Sequence, residues 1–420
     1  MDEQKLAISG GTPMITESFP EMFHWPIVTA EDEEAVVSVL RSGTMSGTDI
    51  TRQFEREFAA WSGVRYALGT CNGTAALQEA LWACGVKTGT EIICPSMTYW
   101  ASCASALALG AEVNFADIDP VTLCIDPADI EHRINERTAA IMVVHYAGHP
   151  ADMDAILEIA RRHRLRVIED VSHAQGAFYK NRMCGTLGDI AGISMMGGKS
   201  FAIGEGGMIL ANDRELYERC MAFGHYERLA ASRYSDAAEK LQSEELARFV
   251  GVPLGGVKHR MNQTCSAMGR VQLKHYPERM AEIQKAMNYF WDRLEGVPGI
   301  RPHRVTSPGC TMGGWYRPRG LYRAGELGNL SCERFCRALV AEGVVTGNGA
   351  GSPLHLHPYF TKFDLTGSRR VPLRQDRLPW SERISEIAFA VPWFKHFRPE
   401  IIDLYAAAFR KVAEHYRELL

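Results

Sequence analysis

Lys199 lies in Gly197-Gly198-Lys199-Ser200, four residues that also end a nucleotide-binding P-loop. A P-loop needs a glycine, four residues and then Gly-Lys-Ser/Thr, and it opens a helix whose amides hold phosphates. Here Gly192 stands one residue too far upstream and position 193 is Ile. A turn-like Phe-Ala-Ile-Gly-Glu-Gly-Gly follows Ser200, and then a strand-like Met-Ile-Leu. The dinucleotide fingerprint fails too, because Gly204-Glu205-Gly206-Gly207 lacks its spacing and its helix. Taken singly, Lys199 reads as an exposed turn lysine. A buried amine would instead lose basicity and could form a Schiff base.

Three other strand-to-helix turns carry chemistry. Gly73 and Thr74, in Thr70-Cys71-Asn72-Gly73-Thr74, open a helix whose amides could hold a phosphate, although Asn-Gly is also an ordinary turn. Tyr99 and Trp100, in Pro95-Ser96-Met97-Thr98-Tyr99-Trp100, could form a stacking wall or simply pack in a core. Asp170 ends the apolar run Val167-Ile168-Glu169, with His173 three residues on. A carboxylate leaving a buried strand calls for a cationic partner; the plainer alternative is a helix cap. Together, a phosphate cradle, an aromatic wall, a strand-end aspartate and a Schiff-base lysine are what pyridoxal phosphate requires. The aspartate keeps the pyridine nitrogen protonated, so the ring can withdraw electrons.

The elements that must position these residues alternate. The spacing predicts helices over 29–40, with Thr29 and Asp32 as a capping box and Gly43 as the stop, and over 50–61. Strands are expected at 65–69, 91–94, 112–116, 139–145 and 167–170 and around 191–195. Helices are expected between them at 74–84, 98–109 and 151–163. Such alternation argues for a largely parallel sheet with helices on both faces, binding ligands beyond the carboxyl ends of its strands. A long helix from Pro277 to Leu294 leads to an α+β region with helices near 331–342 and 399–420. The expected division is a large domain with an N-terminal arm, 1–280, and a smaller one, 281–420.

The chain has 420 residues, 46% of them hydrophobic and 23% charged, which suits a globular protein of more than one core. A net charge of −4 without a long basic run argues against nucleic-acid binding. No apolar run approaches a membrane span, and the acidic start is unlike a signal peptide. Eleven scattered cysteines without a CxxC pair suit reduced thiols in the cytoplasm and no metal site.

The motifs resemble those of the DegT/DnrJ/EryC1/StrS family of sugar and cyclitol aminotransferases, in family order over almost the whole length. They are SGT at 46–48 with FEREFA at 54–59, NGTAAL at 72–77, PSMTYWAS at 95–102, HYAGHPADMDAI at 145–156, IEDVSHAQGA at 168–177, the Lys199 turn, and GGVKHRM at 255–261. The resemblance implies an aspartate-aminotransferase-like fold (type I), pyridoxal 5′-phosphate, and a homodimer with shared active sites. It assigns Lys199 as the lysine that carries the cofactor and Asp170 as the partner of its ring nitrogen. His173 falls near the ring hydroxyl and Tyr99 on the ring face. Gly73, Thr74, Ala75 and Ser194 fall at the phosphate. Lys258 stands where many relatives have an asparagine that reaches the partner subunit's phosphate. Ser172 departs from the commoner Ala. Lysine, where some members have His, points away from dehydration. The implied reaction moves an amino group from L-glutamine or L-glutamate to a keto-carbohydrate. The stretches LAISGGTPM and FPEMFHWP resemble members that aminate keto-cyclitols. Arg317, Arg319 and Arg323 could serve a diphosphate, but they read as a solvated face with no spacing that ties them to the Lys199 turn. A small keto-cyclitol or free keto-sugar is therefore the expected acceptor.

Overall fold

A computed structural model describes residues 5–229, 240–361 and 377–420; the first four residues of the acidic start lie outside them. Its centre is a seven-stranded sheet. In chain order the strands are β1 (Tyr66–Thr70), β2 (Glu91–Pro95), β3 (Glu112–Ala116), β4 (Thr138–Val144), β5 (Arg166–Asp170), β6 (Ile190–Ser194) and β7 (Gly207–Ala211). In space the order is β1-β7-β6-β5-β4-β2-β3. β7 runs antiparallel to both its neighbours and the other pairs are parallel. Ala140 to Val144 are all buried, the unbroken apolar run of a strand covered on both faces. The carboxyl ends of β1, β2, β5 and β6 lead directly into the four chemically marked turns.

Helix α1 (Ala30–Ser42) starts on the expected Thr29–Asp32 capping box and ends at Gly43 in the left-handed region, φ 69°. α2 (Asp49–Ser62) follows, and α3 (Gly73–Ala83) leaves the end of β1. Two expectations differ from the structure. Residues 98–109 do not form one helix: a short turn at Trp100–Ser102 and a helix at Ala104–Ala108 meet at Cys103, φ −135°. That break turns Ser102 toward Asp170, whose carboxylate it bonds. The long helix, α4 (Gln263–Arg293), begins fourteen residues before Pro277 and keeps that proline inside it. An interior proline costs about 3 kcal/mol. Burying Val271, Leu273 and Tyr276, each worth about 1.5–3 kcal/mol, outweighs it.

A second apolar core joins the beginning of the chain to its end. Leu6, Ile15 and Met22 pack with Phe290 and Trp291 of α4 and with Phe335, Phe389 and Phe409. Its sheet is β8 (Ile300–Pro302), β9 (Arg319–Tyr322) and β10 (Ala388–Ala390), all antiparallel. Helix α5 (Pro399–Glu414) lies against α4. The buried Glu342 carboxylate accepts the amides of Ala7 at 2.8 Å and Met14 at 2.9 Å, and Lys411 Nζ of α5 donates to it at 3.0 Å. Polar groups this deep need such partners. All eleven cysteines are free. Among the described residues, no helix is long and apolar enough to cross a membrane and no side-chain cluster has the makings of a metal site.

Buried charge clamps α3. Glu79, fully buried, accepts from His225 Nε2 at 3.0 Å and His259 Nδ1 at 2.8 Å. Burial opposes a charge on His225, yet Glu79 and Glu227 overcome it and raise its pKa to about 9. That exceeds the usual histidine value of about 6.5 in an unfolded chain. This contribution to stability is therefore complete below about pH 6.5 and fades as pH rises through 9. Glu79→Gln is expected to cost about 3 kcal/mol at pH 6, because it removes the nearer of the two carboxylates that offset the buried His225 charge. The deficit should shrink at pH 9.5. Urea unfolding of both proteins at the two pH values checks this, and a pH-independent deficit would assign Glu79 a packing role only.

Candidate active site

The four turns meet at the carboxyl edge of the sheet. At the first, the Asn72 side chain caps α3 by accepting the Ala75 amide at 2.8 Å, and its carbonyl takes the Ala76 amide at 3.2 Å. The Ala75 amide is thus engaged within the cap, which leaves the Gly73 and Thr74 amides at the helix mouth. A Cβ on Gly73 would stand 2.5 Å from the Ser194 Cβ. Only glycine lets the end of β6 approach so closely, and that approach sets the Ser194 hydroxyl beside the helix mouth. Ser194 is fixed from both sides. Its amide donates to Ser172 Oγ at 3.0 Å, and its carbonyl accepts Gln175 Nε2 at 2.6 Å. Ser172, the departure from the commoner alanine, thus ties β5 to β6.

Asp170 is 4% exposed. One carboxylate oxygen accepts Ser102 Oγ at 2.7 Å and the other the Ser172 amide at 3.0 Å. Thr98 Oγ1 lies 2.7 Å from Ser102 Oγ and extends the relay. Two neutral donors, the Ser102 hydroxyl and the Ser172 amide, thus fix the orientation of this carboxylate.

Lys199 is 7% exposed, so it is not a solvated turn lysine. Its amide donates to the Met196 carbonyl at 2.8 Å, and its carbonyl accepts the Trp25 indole N–H at 2.9 Å. Its Nζ stands 4.1 Å from the centre of the Tyr316 ring. Burial is the largest influence on the amine, Asp170 works against it, and Arg317 reinforces it; the pKa falls to about 8. Gly314 lets the turn leading to Tyr316 press on Ser200, since a Cβ there would overlap the Ser200 side chain. Gln175 holds the same turn by accepting the Ser200 hydroxyl.

His173 packs between Tyr146 and Tyr316, ring centres 5.5 and 4.7 Å away. Burial first, then Lys199, Arg317 and Arg319, hold its pKa well below the usual histidine range, so its ring is neutral. Tyr99 is 58% exposed and lies against Trp100 at 4.9 Å. It sits on the open side of the cleft, close enough to Tyr316 to help raise that hydroxyl's pKa. Lys258 is exposed on the rim of the phosphate turn, next to His259, whose carbonyl accepts the Cys71 amide at 2.7 Å.

One expectation is overturned. Arg317 and Arg319 are not a face remote from the lysine turn. The Arg317 guanidinium stands 5.5 Å from the centre of the Tyr316 ring, and Arg319 lies beside Tyr146. Arg323, at the far end of β9, acts on Glu326 instead. Sequence reading could not tie these arginines to Lys199 because a separate sheet carries them back. It also missed Trp25, Ser102, Gln175 and Tyr316. The four-residue step from Thr98 to Ser102 was the one local signal; Trp25 and Tyr316 reach the site from more than a hundred residues away.

Residues 26–410 match the model of the DegT/DnrJ/EryC1/StrS aminotransferase family. The chain is 33% identical to an L-glutamine:scyllo-inosose aminotransferase of Streptomyces griseus, over 99% of either chain. It is 38% identical to a GDP-perosamine synthase of Escherichia coli O157:H7, over 59% of this chain and 64% of that one. An aminotransferase structure from Psychrobacter cryohalolentis superposes with a TM-score of 0.80 at 29% identity, covering 94% of this chain and 99% of that chain. The fold is type I, as the mostly parallel sheet and these neighbours agree. The chain therefore belongs to the DegT/DnrJ/EryC1/StrS aminotransferase family, whose members depend on pyridoxal phosphate.

Proposed function

We propose that this protein moves the amino group of L-glutamine, or of L-glutamate, to a small keto-cyclitol. The observation that carries the reading is a buried amine of lowered pKa facing a fixed carboxylate at the strand ends. Near full-length similarity to a scyllo-inosose aminotransferase supports the acceptor class. We take the protein to be a cytoplasmic homodimer in which Lys258, exposed on the rim, reaches across to the neighbouring site. Sedimentation at assay concentration tests that assembly. Residues 1–280 would form the cofactor-binding domain and 281–420 the smaller one.

The residues present fit pyridoxal phosphate. Gly73, Thr74 and Ser194 would hold the phosphate, with Lys258 of the neighbouring copy. Asp170 would face the ring nitrogen, His173 the ring hydroxyl and Tyr99 the ring face. When bound, the cofactor supplies a reactive carbonyl and an electron-withdrawing ring. Lys199 Nζ removes the proton from the donor's α-carbon and later delivers one to the acceptor carbon that receives the amine. A pKa near 8 keeps a useful neutral fraction of that amine at physiological pH. Asp170, pinned by Ser102 and Ser172, presents a fixed negative charge that need not reorganise during reaction. Trp25 and Tyr316 close the lysine turn against water.

A second reading, a nucleotide-linked keto-sugar as acceptor, gains from the two arginines beside the cleft and from the perosamine synthase similarity.

Borohydride should fix the cofactor on the peptide that contains Lys199; label on another lysine would sink the assignment. Lys199→Ala should still bind the cofactor but lose turnover on the order of a thousandfold. In cofactor-free protein, the rate of capture should rise as pH passes through about 8, where Lys199 loses its proton. Asp170→Asn should keep the cofactor bound and slow the donor half-reaction on the order of a hundredfold or more. Near-normal rates would reduce Asp170 to a structural cap. For the acceptor, enzyme loaded with pyridoxamine phosphate should regain its starting absorbance with a keto-cyclitol. Recovery only with a nucleotide-linked keto-sugar would select the second reading.

A further inference from the structure

The motif at 145–156 contains a histidine, His149, that the site does not use. It closes the turn after β4, its amide donating to the Tyr146 carbonyl at 2.9 Å. Its ring lies over that of His303, with centres 5.2 Å apart and planes at 32°. The two histidines belong to different cores. Ala147, two residues before His149, packs in the core of the central sheet. His303 directly follows β8, whose Ile300 packs in the second core. His303 also bonds across the seam, Nε2 donating to the Thr122 carbonyl at 2.7 Å. Thr122 lies in the turn after β3, and Cys124 of that turn donates its thiol to the His149 carbonyl at 3.2 Å. One histidine of the second core thus clasps two turns of the first.

Both rings are buried. Each spends the single N–H of its neutral form on a carbonyl, His149 Nδ1 on Pro150 at 2.8 Å and His303 Nε2 on Thr122. A second proton on His303 would fall on Nδ1, which is buried without a hydrogen-bond partner. Neighbouring charges do not compensate. Arg319 and His149 both oppose a positive charge on His303. Asp119 favours one on His149 and His145 opposes it. Asp119 Oδ1 is already taken by the amides of Val121 and Thr122, and His145 is bonded to Glu169 at 2.9 Å. Burial is the largest influence on both rings. It lowers the pKa of His149 and takes that of His303 down to about 3.

We propose that the His149–His303 contact is an acid-released latch between the two cores. Parting the rings lets each take up a proton in water, so acid favours the open form. β9 pairs with β8 and follows Tyr316, the residue that covers Lys199. Opening would therefore loosen the cover of the lysine turn and leave the central sheet intact. The sign is that of a base with a depressed pKa. The latch is at full strength above about pH 6.5, the ordinary histidine value, and weakens as pH falls toward 3. The Glu79 cluster has the opposite sign, because His225 is charged in the folded protein. Acid thus releases the seam while the clamp on α3 stays complete, which makes the opening local.

Hydrogen exchange of the holoenzyme at pH 6.5 and pH 5, corrected for the intrinsic effect of pH, tests this. The opening constant should rise about thirtyfold for each histidine that gains a proton, tenfold per pH unit. Peptides covering 119–124, 146–149, 300–303 and 315–322 should lose protection by that factor, and those of β4 and β5 should keep theirs. His303→Gln retains a donor for Thr122 but cannot titrate there, and His149→Phe retains a ring. Each variant should remove about thirtyfold of the rise. His149→Phe keeps the test open if His303→Gln disturbs folding. The full rise persisting in both variants overturns the latch. So does an equal loss of protection throughout the central sheet at pH 5, which would report global unfolding. Exchange is read without substrate, so neither outcome depends on the aminotransferase reading.

Discussion

Keeping one amine out of water without bonding it to a counter-charge is the constraint on which the rest of the structure depends. Water would restore the basicity of Lys199, and a bonded carboxylate would lock in its proton. The fold avoids both. Tyr316 covers the amine with an aromatic face, and Trp25 holds the backbone of the same turn. Asp170 is near enough to act on the amine through space, yet its oxygens are taken by Ser102 and Ser172. The serines thus hold the carboxylate in place while it acts on the amine through space.

The same division of labour runs through the sheet. Its strands supply rigid ends, and the turns after them supply the chemistry. Buried charges elsewhere fasten helices to those ends. Glu55 accepts the Gly69 amide in β1 at 2.8 Å and is paired with Arg228. Glu79 holds α3 through two histidines. Neither cluster lies in the cleft, but both fix the segment that presents Gly73.

The parts legible in sequence were those written in local code. The Thr29–Asp32 box, the apolar strand runs and the glycine turns each act within a few residues, so pattern alone reveals them. The Lys199 and Asp170 turns were visible because a strand end is itself a local feature. What escaped was set by distance or by competition. Pro277 looked like the start of a helix, because its ring favours that position; burial of the preceding turns overrode it. Residues 98–109 looked helical until Ser102 was claimed by Asp170, which no local pattern contains. Arg317 and Arg319 looked solvated because the strand that returns them to the cleft belongs to another core.

The joining of the chain's early residues to its last long helix has a consequence for how the protein is made. Residues 6–25 leave the ribosome long before the groups that hold them, Glu342 and Lys411, which are synthesised hundreds of residues later. Until α5 emerges, the early segment has no core to join, and Trp25 has no support from that side while it bonds the Lys199 turn. The central sheet can assemble beforehand, with its strand ends in place. Closure of the lysine turn then waits for α5 to emerge, so a nascent chain would be folded through its central sheet well before it could be competent.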